Sequence, residues 1–253
     1  MNIMVFDTET TSLNKPFCYN IGYAICNTDT GEILAEKDFV VEQIWHNIPL
    51  FSTAYYADKR PIYVSRMRAK KTKMNKFGYI CKEMIRDLNT FDVAYAYAYN
   101  SSFDERVFEY NCDWFKCNNP FDMIPILDIR GNVHNSIAFT QPYKDFCERY
   151  NRFTEKGNYS TTAETVYQYM TGITDFEEEH TALADSIIEL SILLTTVNEY
   201  GLEYGREYKT YSSIPRTIEK ILSVTDIDGI KHEFAYNRKT VRDNGNNIIL
   251  KNH

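Results

Sequence analysis

The sequence predicts an α/β fold, a mixed sheet covered by helices. Three observations carry that prediction. Strand-like apolar runs open the chain at residues 3–7, 18–27 and 33–41. A helical pattern over residues 77–90 is followed by a strand pattern over residues 92–99. A long apolar-periodic helix then spans residues 181–200. Strands interleaved with helices of this kind build layered sheets.

Each element has a local reason. Thr28-Asp29-Thr30-Gly31-Glu32 joins the second and third strands as a hairpin turn. Residues 42–76 have no clean periodicity. Within residues 77–90, Ile80, Met84, Ile85 and Leu88 share one helix side. Residues 92–99 alternate alanine with Tyr95, Tyr97 and Tyr99, which reads as core packing with satisfied hydroxyls. A helix begins near Ser101, with Ser101 or Ser102 as its cap. Residues 123–130 suggest a short strand and residues 143–151 a helix. Thr161 and Glu164 have capping-box spacing and open a helix through about Met170, ended by Thr171-Gly172. Beyond Gly201, residues 223–236 and 238–250 alternate, with Asp228-Gly229 and Asn244-Gly245 as tight turns. The chain thus divides into a main domain, residues 1–200, and a small β-containing C-terminal extension, residues 201–253.

The 253 residues are 43% hydrophobic and 25% charged, enough for a sizeable core and contrary to whole-chain disorder. Cysteines at 18, 26, 81, 112, 117 and 147 form no Cys-x-x-Cys pair, so they are expected to be reduced and mostly buried. No apolar stretch approaches the ~20 residues of a membrane span, and no basic leader precedes the first strand. A cytoplasmic protein with no membrane partner is expected. The Asn-, Lys-, Ile- and Tyr-rich composition points to a bacterial cell or a phage-infected host.

The formal net charge of -7 argues against coating nucleic acid through bulk charge. Residues 55–76 are the exception. Eight basic residues stand there against Asp58, a local excess of +7. Arg66, Arg68, Lys70 and Lys71 are candidates for an arm that tracks phosphates, with Tyr55, Tyr56 and Tyr63 available for stacking.

Three acidic stretches lie where sheet hands over to loop or helix. Asp7 and Glu9 end the first apolar run, Asp104 follows the tyrosine strand, and Asp185 opens the long helix. Residues i and i+2 of a strand point to one side, so Asp7 and Glu9 can aim at one point. Two carboxylates there repel each other unless a divalent cation intervenes. Hard oxygen ligands suit Mg2+ or Mn2+, and four carboxylates suffice for two ions. His180 precedes Asp185 by five residues, which fits a loop before the helix. From there an imidazole can act as general base. The adjoining Glu177, Glu178 and Glu179 are expected to favour its protonated form. Asn100 is expected to hold the Asp104 loop through its side chain.

FDTETTSL, NSSFD and HTALAD, in this order, resemble the three motifs of the DEDDh (DnaQ-like) 3′–5′ exonucleases, over roughly residues 1–200. The resemblance implies an RNase H-like fold with a mixed five-stranded sheet. It implies phosphodiester hydrolysis from the 3′ end of single-stranded DNA, releasing nucleoside 5′-monophosphates. Asp7, Glu9 and Asp185 would coordinate one divalent cation, Asp7 would bridge to a second, and Asp104 would support the second. His180 would take the proton from the attacking water. The backbone around Thr8 and Thr10 would touch the terminal nucleotide and Leu13 would wedge against the last base. Asn100 and Phe103 are further substrate-pocket candidates. The implied partners are nucleic-acid 3′ ends and, in a proofreading role, a DNA polymerase or other replication protein. An exoribonuclease of the RNase T or oligoribonuclease type is the alternative. A non-catalytic nucleic-acid or polymerase-binding module ranks behind both, because all five motif positions are intact. The sequence departs from the family at Ser12, where relatives usually carry Gly, and at Tyr99, often His.

Overall fold

The computed structural model describes residues 1–216 together with the strands Glu219–Thr225 and Lys231–Asn237. β1 (Asn2–Thr10), β2 (Cys18–Asn27) and β3 (Ile33–Val41) form an antiparallel meander. After them come α1 (Glu42–Trp45), α2 (Ile48–Phe51), α3 (Arg60–Arg68) and β4 (Lys73–Asn75). Next are α4 (Phe77–Thr90), β5 (Val93–Ala98), α5 (Ser102–Phe115) and β6 (Ile126–Asp128). The helices α6 (Ile129–Ser136), α7 (Gln141–Tyr150), α8 (Ala163–Thr171) and α9 (Ala182–Asn198) complete the layers.

The sheet order is β4-β3-β2-β1-β5-β6. β5 runs parallel to both β1 and β6, and β4 runs parallel to β3. The α/β expectation holds, with six strands where the resemblance implied five. The added edge strand, β4, comes from the basic segment and has no strand signal of its own. Its pairing with Phe39, Val40 and Val41 supplies the hydrogen bonds that its sequence does not advertise.

β1 lies inside the sheet and divides its side chains between two cores. Met4 and Phe6 pack with Met84 and Leu88 of α4 and Phe108 of α5. Phe6 also stacks on Phe121 at 4.2 Å between ring centroids. Ile3 and Val5 face the opposite core, with Val133 of α6 and Ile192 and Leu193 of α9. This two-sided burial explains why MNIMVF reads as a continuous apolar run.

Several local details differ from expectation. β1 continues through the acidic pair to Thr10, so Asp7 and Glu9 belong to the strand itself. The aperiodic stretch 42–76 holds three α-helices, two of them only four residues long and too short to show a period. Ser101 makes no capping hydrogen bond, because its backbone is already helical. Thr162, not Thr161, caps α8 by accepting from Thr165 N–H at 3.2 Å. Glu164 does not reach back but accepts from Glu178 N–H at 3.2 Å. β6 is shorter than residues 123–130, because Asp128 already caps α6 by accepting from Arg130 N–H.

The tyrosine strand behaves as its alternation predicts. Tyr99 OH donates to Thr161 O at 2.7 Å, and Tyr97 OH accepts from Gly205 N–H at 2.7 Å. Residues 201–216 return across the body: Tyr159 N–H donates to Ile214 O at 3.0 Å. β7 (Glu219–Thr225) and β8 (Lys231–Asn237) pair antiparallel. The expected turns at Asp228-Gly229 and Asn244-Gly245, and the alternation over 238–250, lie outside the described residues. Among the described residues no helix is long and apolar enough to cross a membrane.

His134 ties the returning segment to α6 and yields a pH prediction. Tyr211 N–H donates to its Nδ1 at 2.9 Å, and Nε2 meets Thr161 Oγ1 at 3.2 Å. Burial, with Arg130 nearby, pushes this imidazole down to about 4. The unfolded chain binds a proton near pH 6.5, before the folded one does, so this stability is present above that pH and lost as pH falls towards 4. Urea unfolding at pH 7.5 and 4.5 should show a stability loss about 2–3 kcal/mol larger for the parent than for His134→Gln. Equal losses would refute the assignment.

Candidate active site

The site forms where α9 meets β1 and β2. Asp7 pairs with Gly22 across the sheet. A Cβ on Gly22 would stand 1.9 Å from Leu183 N and 2.2 Å from the Ala182 carbonyl carbon. Only a glycine lets the first turn of α9 press onto the sheet beside Asp7. That close approach brings Asp185 towards the acids of β1.

The start of α9 is held from outside the helix. Its preceding residue, Thr181, makes no capping bond with its side chain. Buried Asn20 of β2 replaces it, with Oδ1 accepting from Ala182 N–H at 2.8 Å and from Tyr63 OH at 3.0 Å. Its Nδ2 donates to Asp38 Oδ1 at 2.7 Å and to Phe39 O at 2.9 Å. An orphan N–H of the first turn is therefore satisfied from a neighbouring strand.

Glu9, His180 and Asp185 each offer a ligand atom within 4.8 Å of the other two. Tyr19 OH donates to Glu9 Oε2 at 3.4 Å. Asp104, on the first turn of α5, accepts from Thr8 Oγ1 at 2.6 Å, and both residues are buried. Burial raises all four carboxyls, and repulsion from neighbouring site acids adds to it at Asp7, Glu9 and Asp185. Burial, then Asp104 and Glu178, lifts Asp7. Burial, then Asp7 and Asp185, lifts Glu9. Asp185 is pushed up to about 9 by burial, Asp7 and the neighbouring glutamates. Burial brings Asp104 to about 7, against the Thr8 hydroxyl, which favours its charged form.

These residues fit a divalent cation. Asp185 Oδ1 is buried and has no hydrogen-bond partner. A set of mutually repelling carboxylate oxygens with one imidazole is the donor chemistry of Mg2+ or Mn2+.

His180 sits on a strained loop. Its φ of 55° is in the left-handed region, which is costly for a residue with a Cβ. A clamp holds it there. Arg66 Nη1 donates to Glu179 Oε1 at 2.7 Å and to Thr181 Oγ1 at 3.1 Å, on either side of His180. Arg66 Nε lies 3.4 Å from buried Asp38, which also accepts from Thr72. Lys59 Nζ donates to Glu179 O at 2.9 Å. The Tyr56 ring stacks on the imidazole at 4.2 Å and 12°.

The protonated His180 expected from its glutamate neighbours is not what this environment favours. Burial and then Lys59 lower the imidazole, with Glu164 opposing. Glu179 is spent on Arg66, and burial pushes Glu178 itself up to about 7, which weakens its field. His180 Nδ1 lies 3.8 Å from Glu178 Oε2, so a proton held there leaves Nε2 as the acceptor.

Other expected residues divide. Arg66 is a structural clamp rather than part of a phosphate arm, while Arg68, Lys70 and Lys71 are exposed and form no ion pair among the described residues. Tyr63 is fully buried and cannot stack on a ligand, whereas Tyr55 is 88% exposed. Thr8 turns its hydroxyl to Asp104, and Thr10 bonds Ser12 O at 3.3 Å. Leu13 is 73% exposed. Phe103 packs partly against the core. Asn100 adopts φ of 63° and is tied by its backbone N–H to Asp128, with no side-chain bond to the loop. Ser12 folds a local turn, its hydroxyl donating to Lys15 O at 2.9 Å. Tyr99 donates its backbone N–H to Glu189 Oε2 at 3.2 Å.

Glu189 is the acid that sequence reading missed. It is buried on α9, one turn beyond Asp185, and its carboxyl is raised by burial, Asp7 and Asp104. The i, i+4 spacing from Asp185 is the signal that could have found it.

Replacing Arg66 with alanine is expected to lower kcat about 10–100-fold with a much smaller change in KM, because the His180 loop relaxes. Steady-state kinetics of Arg66→Ala check this. An unchanged kcat in a folded variant would remove the clamp from the mechanism.

No protein-family model matches the sequence, and no curated protein matches it. Solved structures do match in fold. The nuclease domain of 3′hExo, a DEDDh family member, is 14% identical, covering 84% of this chain and 97% of that one with a TM-score of 0.52. A full-length 3′-exonuclease is 14% identical, covering 85% of this chain and 68% of that one with a TM-score of 0.51. At such identity the likeness concerns backbone architecture: this chain is similar in fold to the nuclease domain of that DEDDh family member and to that 3′-exonuclease.

Proposed function

We propose that this chain is a metal-dependent 3′–5′ exonuclease that releases nucleoside 5′-monophosphates from single-stranded DNA ends. The observation that carries the reading is the convergence of Glu9, His180 and Asp185, with Asp7 and Asp104 beside them. In this reading residues 1–200 are the exonuclease domain and residues 201–253 an extension of it.

Asp7, Glu9 and Asp185 would hold one Mg2+ or Mn2+, with Asp7 shared towards a second and Asp104 supporting it. When bound, the cations supply the positive charge that offsets the carboxylates and the charge developing on the phosphate. The chain's own groups do the rest. His180, neutral and fixed by its clamp, accepts the proton of the attacking water at Nε2. The P–O bond to the penultimate 3′ oxygen breaks as the water oxygen bonds to phosphorus. Leu13, exposed in the loop that follows β1, contacts the terminal base. Thr8 and Thr10 line the same end of β1 through their backbone, with Asn100 and Phe103 near Asp104. Arg68, Lys70 and Lys71 attract the strand upstream.

An exoribonuclease is the second reading. The 3′hExo nuclease domain was solved bound to rAMP, which favours it. Matched 3′-labelled DNA and RNA oligonucleotides, digested with Mg2+ or Mn2+, test both readings. Mononucleotide release is expected from single-stranded DNA, with RNA slower. Faster RNA digestion would select the second reading. No release from either polymer, with the protein folded, would leave the non-catalytic binding module. A polymerase partner would be sought by co-purification once activity is established.

A further inference from the structure

Three cysteines far apart in sequence meet in space. Cys81 lies on α4, Cys112 near the end of α5, and Cys117 just past α5. Their sulfur atoms all lie within 4.8 Å of one another, and those of Cys81 and Cys117 are 4.0 Å apart. Cys81 and Cys112 are buried, and Cys117 is half-buried.

The backbone is shaped to bring them together. Lys116 ends α5 in the left-handed region, with φ of 53°. The chain turns back there, and Cys117 N–H donates to Cys112 O at 3.1 Å. Gly78, one turn before Cys81, leaves room: a Cβ there would stand 3.3 Å from Cys117 Cβ.

We propose that Cys81, Cys112 and Cys117 form a three-thiolate site for one soft, thiophilic cation, monovalent copper. Metal–sulfur bonds of about 2.3 Å in a trigonal plane put the sulfurs about 4.0 Å apart. The Cys81–Cys117 separation already has that value. A disulfide would instead require two sulfurs to close to about 2.05 Å. No His, Asp or Glu completes the group among the described residues. Structural zinc almost always takes four protein ligands, whereas soft thiolates select monovalent copper. The thiols lose their protons on binding. Half-exposed Cys117 provides the way in. Cys112 lies eight residues beyond Asp104 on α5, about 12 Å of helix rise, so the site is separate from the carboxylates.

The test is an anaerobic titration of the full, reduced chain with monovalent copper against a chromophoric chelator. Excess Mg2+ keeps the carboxylates occupied. One copper per chain is expected. Cys117→Ser, which alters the least buried ligand, should weaken binding at least about 100-fold. Asp185→Asn should leave the affinity unchanged. Circular dichroism of each variant separates lost binding from lost folding, and Cys112→Ala serves as a second ligand variant if Cys117→Ser does not fold. The proposal is overturned if no copper competes with the chelator, or if both folded cysteine variants bind as the parent does. Affinity lost in Asp185→Asn would overturn it too, by moving the metal to the carboxylates. Formation of a disulfide in a chain that binds no copper would replace it with a redox pair.

Discussion

Asp185→Asn is expected to lower the rate of nucleotide release by about 10³-fold or more while raising the stability of the cation-free protein. The two effects have one cause. Asp185 carries a buried oxygen with no partner, and Asp7, Glu178 and Glu179 all repel its charge. Without a cation this is a cost of folding. With one, the same oxygen becomes a ligand, and a metal centre is worth several kcal/mol of transition-state stabilisation. At 1.36 kcal/mol for each factor of ten, that corresponds to about 10³-fold or more in rate. With its carboxyl raised to about 9, Asp185 must take up a proton to fold at neutral pH without a cation. Asparagine removes that cost, so the cation-free unfolding midpoint should rise by about 2–4 °C for each kcal/mol relieved. Added Mg2+ or Mn2+ should stabilise the parent in proportion to the logarithm of its concentration above Kd, by about 2.7 kcal/mol at a hundred times Kd, and the variant far less. Thermal melts with and without cation, beside a turnover assay, give both readouts. A variant that stays active and still responds to cation would show that Asp185 is no ligand.

Gly22→Ala is the second large effect, and it lies at a buried position of β2. The added methyl would meet backbone atoms of Ala182 and Leu183, which cannot swing aside as a flexible side chain could. The first turn of α9 must lift from β2, or the strand must bend. Overpacking of a well-filled interior costs about 1–3 kcal/mol, and a backbone clash belongs at or above the top of that range. Lifting α9 would also break the Asn20–Ala182 hydrogen bond and draw Asp185 away from Glu9. A misplacement of about 1 Å can cost about 100-fold in rate. Chemical denaturation and turnover should therefore fail together. Normal stability and normal activity in Gly22→Ala would contradict the close approach of helix to sheet.

How far such effects were legible in the sequence depends on the distance over which each cause acts. The strands 18–27 and 33–41 and the helix 77–90 have their expected bounds, because local periodicity governs them. The edge strand β4 and the short helices of residues 42–76 were not legible, because partners elsewhere in the chain make them. The capping-box spacing favours Thr161, yet Thr162 caps α8, while the Thr161 hydroxyl meets His134 Nε2 at 3.2 Å.

For the candidate site, the sequence by itself determined the candidate donors. Asp7, Glu9, Asp104, Asp185 and His180 are identifiable because ligand chemistry resides in side-chain identity, and the i, i+2 rule of a strand aligns the first two. The tertiary structure alone decided how those donors are held and charged. Arg66 looked like one more cation of a basic arm, yet it is clamped between Asp38 and the His180 loop. Glutamates beside His180 suggested a protonated ring, yet burial and Lys59 favour the neutral one. Gly22 gave no functional signal, yet it sets the distance from α9 to β1. Each of these depends on through-space separation between residues distant in the chain, and charge and steric energies depend on that separation, which no local pattern encodes.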